Sequence, residues 1–170
     1  PGHGKTTFLI NLLSQMIHSG LKVVLFNREL PNSEMIKKLI TLESGKLSYG
    51  MVRKGIYDDS EIEELKRVKK KIAELYNEEK FLMFDNIRDF ARSSTEISKF
   101  KPDVVMDDYI QLVQPSGHFD SRRLQIEQLV NDYKWVAKEH ECAVVLASQL
   151  NRSVEYRDDG EPRLSDLAES

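Results

Sequence analysis

Gly2-His3-Gly4-Lys5-Thr6-Thr7 runs straight into Phe8-Leu9-Ile10-Asn11-Leu12-Leu13-Ser14-Gln15-Met16-Ile17. Phe8, Leu9, Leu12, Leu13, Met16 and Ile17 recur at helical spacing, and Gly20 stands where such a helix stops. Val23-Val24-Leu25-Phe26 follows as an unbroken apolar run, the mark of a strand covered on both faces. A glycine turn that opens a helix and leads to a buried strand is the back half of a phosphate-binding P-loop, whose first glycine would precede residue 1. Glycines let backbone amides curl around phosphate oxygens, and the helix start directs its positive dipole end at the same oxygens. In this pattern Gly2, His3, Gly4, Lys5, Thr6 and Thr7 bind nucleotide. Lys5 is the cation for the β- and γ-phosphates, Thr6 the hydroxyl for Mg²⁺, and Thr7 a contact for the α-phosphate. His3 fills a variable loop position and is not expected to act as a catalyst. ATP and Mg²⁺ are the implied cofactors.

Outward from this stretch, helical and strand patterns alternate. Pro31-Asn32-Ser33 reads as a turn with a helix cap, and Met35, Ile36, Leu39 and Ile40 mark a helix over 34–43. Ser60 to Asn77 is a charged helix, for which Ser60 and Glu63 suggest a capping box. Phe81-Leu82-Met83-Phe84 is a short strand, and a weak, short helix is expected over 95–100. Val104-Val105-Met106 is an apolar run ending in Asp107-Asp108, 120–140 is a long amphipathic helix, and 143–147 is another buried strand. From Asn151 onward the chain is polar and rich in turn residues. This order predicts an α/β domain with a mainly parallel sheet flanked by helices.

Composition bounds the partners. A hydrophobic fraction of 40% with 31% charged residues is that of an ordinary globular domain. A net charge of −3 does not announce a nucleic-acid binder, but a local cationic lining would suffice for one. The single cysteine, Cys142, excludes an internal disulfide and reads as a small buried residue. No apolar stretch is long enough to span a bilayer and no signal-peptide pattern opens the chain, so a cytoplasmic protein without membrane partners is expected. The start inside a motif and the end without a closing element read as a chain truncated at both ends, lacking the strand before the P-loop. On that reading residues 1–170 are a partial ATPase domain.

The acids lie where an α/β sheet binds ligands, beyond the carboxyl ends of its strands. Either Asp107 or Asp108 could hold Mg²⁺, but not both, because strand side chains alternate faces. Glu29, just after the first strand, could orient and deprotonate an attacking water. Gln149, after the strand at 143–147, could sense the γ-phosphate through its amide.

Four patches occur in order: Pro1-Gly2-His3-Gly4-Lys5-Thr6, Leu25-Phe26-Asn27-Arg28-Glu29-Leu30, Asp108-Tyr109-Ile110-Gln111-Leu112 and Ser148-Gln149-Leu150-Asn151-Arg152. With Pro162-Arg163-Leu164-Ser165-Asp166-Leu167, they resemble the hexameric replicative helicases of the DnaB family, over nearly the whole chain. The resemblance implies a RecA-like ATPase fold and ATP-driven 5′→3′ translocation on single-stranded DNA. It also implies a homo-hexameric ring whose sites are completed by a neighbour's arginine, with primase and a helicase loader as partners. It implies Glu29 as the catalytic glutamate, Asp108 as the Walker B aspartate, and Gln149 as the phosphate sensor beside a DNA-contacting loop. Departures suggest a divergent member of phage type. Asn27-Arg28 replaces the usual Ser-Leu and puts a charge beside the proposed base. Asp107 replaces an apolar residue, and the helix near 95–100 looks shortened.

Two loops leaving the same sheet edge could grip DNA phosphates. One runs over 113–123 with Arg122 and Arg123, the other over 151–163 with Arg152, Arg157 and Arg163. Asp158, Asp159 and Glu161 offset the charge of the second. The tract Lys66-Arg67-Val68-Lys69-Lys70-Lys71 lies among glutamates and reads as a solvated face. Two other functions compete with the helicase: a RecA-like recombination or repair ATPase that does not unwind, and a nucleotide-binding interaction module without turnover.

Overall fold

The computed structural model describes residues 4–150 and 161. Among the described residues four parallel strands form one sheet: β1 (Val23–Asn27), β2 (Phe81–Phe84), β3 (Val104–Asp108) and β4 (Ala143–Leu146), in the spatial order β2-β1-β3-β4. The two central strands are buried along their whole length. Their unbroken apolar runs are therefore a consequence of helices on both faces. β4 departs from the expected buried strand: it is an edge of the described sheet, with Ala143 exposed and Val144 to Leu146 only partly covered.

Alternation along the strands sorts the core into two layers. Val23, Leu25, Val104 and Met106 pack against α1 (Lys5–His18), α2 (Asn32–Ser44) and α4 (Asp59–Asn77). Val24, Phe26 and Val105 pack against α5 (Phe90–Phe100) and α6 (Arg122–Glu139) through Ile97, Phe100, Tyr133 and Val136. Cys142 is buried in this second layer.

Three local expectations are corrected. The capping box of α4 is made by Asp58 and Glu61, not Ser60 and Glu63; the Asp58 carboxylate accepts from Glu61 N at 2.8 Å, and Glu61 reaches back to Asp58 N. The helix expected over 95–100 begins at Phe90, capped by Asp89, so at 11 residues it is not short. A six-residue helix, α3 (Tyr49–Lys54), was not foreseen; Ser48 caps it. Lys66, Arg67, Lys69 and Lys70 of the basic tract on α4 are solvated as expected, with Lys66 and Arg67 paired to Glu63 and Glu64, but Lys71 is partly buried and reaches Glu43 on α2 at 2.9 Å.

Candidate active site

α1 starts at Gly4, whose φ of +77° suits a residue without a Cβ. Among the described residues no side chain caps this helix end, and its first turn carries no acid. Its first amides are thus left to other acceptors, which is the arrangement an anion requires. The same turn brings Lys5 and Thr6 to the carboxyl ends of β1 and β3. Thr6 Oγ1 donates to Asp108 Oδ2 at 2.9 Å. Lys5 Nζ lies 2.9 Å from Asp108 Oδ1, 3.4 Å from Glu29 Oε2 and 3.6 Å from the centre of the Tyr109 ring. Asp108 is buried, while Glu29 has a half-exposed side chain. Thr7 is exposed on the same turn. Gly2 and His3 lie outside the described residues.

The two adjacent aspartates part company here. Asp108 shares a face with Val104 and Met106, under α1. Asp107 falls on the opposite face and meets Arg28. Arg28 Nε donates to Asp107 Oδ1 at 2.9 Å and Nη2 donates to Oδ2 at 2.6 Å, a two-pronged pair with both side chains fully buried. The remaining guanidinium donors reach Ile87 O at 2.5 Å and Ser93 Oγ at 3.0 Å. The Tyr133 hydroxyl donates to Asp107 Oδ2, and its ring packs edge-on to Phe90. Burial pushes the Asp107 carboxyl above its usual range, against the pull of Arg28. Burial also pushes the Tyr133 hydroxyl well up, aided by the Asp107 charge. Burial opposes the charge on Arg28 too, but Asp107 outweighs it and holds the guanidinium raised. The expectation that Arg28 charges the surroundings of Glu29 is therefore corrected: its charge is neutralised behind the sheet, and the cation facing Glu29 is Lys5.

At β4, the Gln111 side chain pairs with the main chain of Gln149. Gln111 Nε2 donates to Gln149 O at 3.0 Å and Gln149 N donates to Gln111 Oε1 at 3.2 Å. Gln149 is thereby held beside the segment that follows Asp108. Arg122 is partly buried; it donates to Gln111 O and, at 2.8 Å, to Gln125 Oε1. Arg123 is exposed. Arg152, Arg157 and Arg163 lie outside the described residues.

Sequence reasoning missed Tyr109, Gln111 and the Arg28–Asp107 pair. The last had a signal: two opposite charges at strand ends, each replacing an expected apolar residue, are more economically read together than apart.

The donor set suits a hard cation. Asp108 and Thr6 present oxygens only, and among the described residues no group of three or more His, Cys, Asp or Glu gathers that could cage a metal without substrate. Few protein ligands plus phosphate oxygens is how Mg²⁺ is held at such sites.

The chain is 35% identical over its whole length to the replicative DNA helicase DnaB of Mycobacterium leprae, and 31% identical to that of Buchnera aphidicola subsp. Schizaphis graminum. It spans 28% and 37% of those two proteins. Among solved structures it superposes on a DnaB-like replicative helicase studied with its interactions with primase (TM-score 0.86, 30% identity, all of this chain and 42% of that one). It superposes comparably on a second solved ATPase domain (TM-score 0.84, 31% identity, all of this chain and 61% of that one). The family model of the DnaB-like helicase C terminal domain matches residues 1–170, and the chain belongs to that family.

Proposed function

We propose that this chain is the motor core of an ATP-driven replicative DNA helicase. The carrying observation is the convergence of Lys5, Thr6, Glu29 and Asp108 at the carboxyl ends of the two central strands, beside an uncapped helix start. Asp108 and Thr6 would hold Mg²⁺, which when bound neutralises charge on the phosphates. Lys5 leaves its acidic partners for the β- and γ-phosphate oxygens and stabilises charge as the γ-phosphoryl departs. Glu29, relieved of Lys5, orients a water in line with the γ-phosphorus and takes its proton. Gln149, braced by Gln111, responds to loss of the γ-phosphate and passes the change to adjoining loops that contact single-stranded DNA. Arg123, exposed at the start of α6, can reach phosphate; Arg122 would have to leave Gln111 to do so. Arg152, Arg157 and Arg163 are the candidates on the second loop.

The working state is a homo-hexamer on single-stranded DNA in the cytoplasm, with primase and a loader as partners. A structural neighbour's interactions with primase support that partner. The test is ATP hydrolysis by the whole protein, with Glu29→Ala alongside. Single-stranded DNA should stimulate the parent, and Glu29→Ala should bind ATP yet lose turnover by at least about 100-fold. Binding without turnover on any DNA would instead favour a nucleotide-binding interaction module.

A further inference from the structure

Asn27, the last residue of β1, is 1% exposed and stands at the register position of Asp108 on β3. Paired positions of neighbouring strands project to the same face, so the Asn27 amide shares the Asp108 side of the sheet. Its orientation follows from its neighbours. Met83 O can only accept, so the amide that meets it at 3.1 Å is Asn32 Nδ2. Asn32 Oδ1 is then the atom facing Asn27, and Asn27 Nδ2 donates to it at 2.6 Å. Asn32 is itself pinned by its backbone N–H, which donates to Asp85 Oδ2 at 2.7 Å. The relay leaves Asn27 Oδ1 as the free end.

That oxygen accepts no hydrogen bond. Among the described residues, the buried side-chain oxygens in this position are Asn27 Oδ1 and Asp108 Oδ1, and the latter is ion-paired to Lys5. With Asp108 Oδ1 so paired, Asn27 Oδ1 is the acceptor left unmet, and burying it is costly unless a donor reaches it. A water bound to a divalent cation is such a donor, since the cation makes its protons strong and it carries two.

We propose that Asn27 Oδ1 is an outer-sphere acceptor for the nucleotide-associated cation, accepting a hydrogen bond from a metal-bound water beside Asp108. This rests on the nucleotide-binding reading above. The role adds an oxygen to the cation's surroundings without adding negative charge next to Asp108. Partners of this kind typically change metal affinity by about 10- to 100-fold.

The test is Mn²⁺ binding to the whole protein at equimolar ADP, read from the electron paramagnetic resonance of free Mn²⁺ and corrected with the same ADP in the absence of protein. Parent, Asn27→Ala and Asn27→Asp are compared, with metal-free ADP affinity measured in chelator. Both variants lose the amide that donates to Asn32; Asn27→Asp keeps an oxygen and adds a charge, while Asn27→Ala has neither, so Asn27→Ala against the parent reports the oxygen and Asn27→Asp controls for loss of the amide. Asn27→Ala should bind Mn²⁺ about tenfold more weakly, Asn27→Asp at least as tightly as the parent, and metal-free ADP affinity should stay constant. Equal Mn²⁺ affinity in Asn27→Ala and parent would overturn the proposal. So would Asn27→Asp binding more weakly than the parent, which would make Asn27 a strut for Asn32; this arm stands even if Asn27→Ala fails to fold. A parent that binds no Mn²⁺ with ADP would overturn the nucleotide reading itself.

Discussion

Asp107 and Asp108 are neighbours in the chain, identical in chemistry and almost equally buried, yet they sit in opposite kinds of surroundings. Asp107 is closed in: Arg28 grips both oxygens, Tyr133 adds a third donor, and Ser93 and Ile87 take two further donors of the guanidinium. Asp108 is only half engaged, by a hydroxyl and a long-stemmed lysine that both belong to the helix opening at Gly4. One residue of strand alternation separates a carboxylate committed to structure from one left available for chemistry. The lesson is that burial alone does not mark a functional acid; what matters is whether its partners are permanent.

Breaking the closed side should give the largest effect. Asp107→Ala leaves the Arg28 charge buried without its counter-ion and is expected to cost about 3–5 kcal/mol in denaturant unfolding. On the open side the effect should be on rate. Asp108→Asn should lower ATP turnover by at least about 100-fold, a loss of the size seen when one charge-stabilising group is removed.

A third carboxylate, Glu43, sharpens the contrast because it is closed in without being central. Ser14, His18 and Lys71 all contact it, joining α1, α2 and α4. Burial would raise its pKa, but these donors outweigh burial and hold it below the ordinary value. A depressed folded value means its contribution is present above the unfolded pKa and fades as pH falls through the folded one. Glu43→Gln is expected to lose about 1.5–3 kcal/mol at neutral pH, with the gap to the parent closing in acid; urea midpoints measured across pH would show it. The smallest effect should come from replacing the closed pair whole. Arg28→Leu with Asp107→Val and Tyr133→Phe should unfold within about 1–2 kcal/mol of the parent, because well-packed apolar residues often replace a buried ion pair without loss, and Tyr133→Phe removes the hydroxyl that would otherwise stay buried without its partner. Failure to recover most of the Asp107→Ala deficit would mean that the network does more than satisfy itself.

Much of this was legible in the sequence. β1 and β3 announced themselves as apolar runs because both faces are covered, and the periodic stripes of α1, α4 and α6 located those helices. Motif and strand-end position singled out Lys5, Thr6 and Glu29 and left Asp107 or Asp108 open, with Asp108 preferred on the family resemblance; the structure brings Lys5, Thr6, Glu29 and Asp108 together. Other features were hidden for physical reasons. α3 is six residues long, too short for a period to emerge. Asp58-Asp59-Ser60 offers three possible caps with acids three residues on from the first and last, so pattern could not choose between them. The first turn of α5 was missed because the Ser93-Ser94-Thr95 run has weak helix propensity, although Asp89 was a usable cap signal. Asn27 was invisible because its significance lies in an unmet acceptor, which only a folded arrangement of Asn32, Met83 and Asp108 defines.

The most direct test of the contrast between the two aspartates is a paired unfolding measurement on the whole protein, Asp107→Asn beside Asp108→Asn, in one denaturant series. Asp107→Asn should unfold at clearly lower denaturant than the parent, while Asp108→Asn should stay within about 1 kcal/mol of it. The reverse order, or equal losses in both, would contradict the division of the two carboxylates into one for the fold and one for the site.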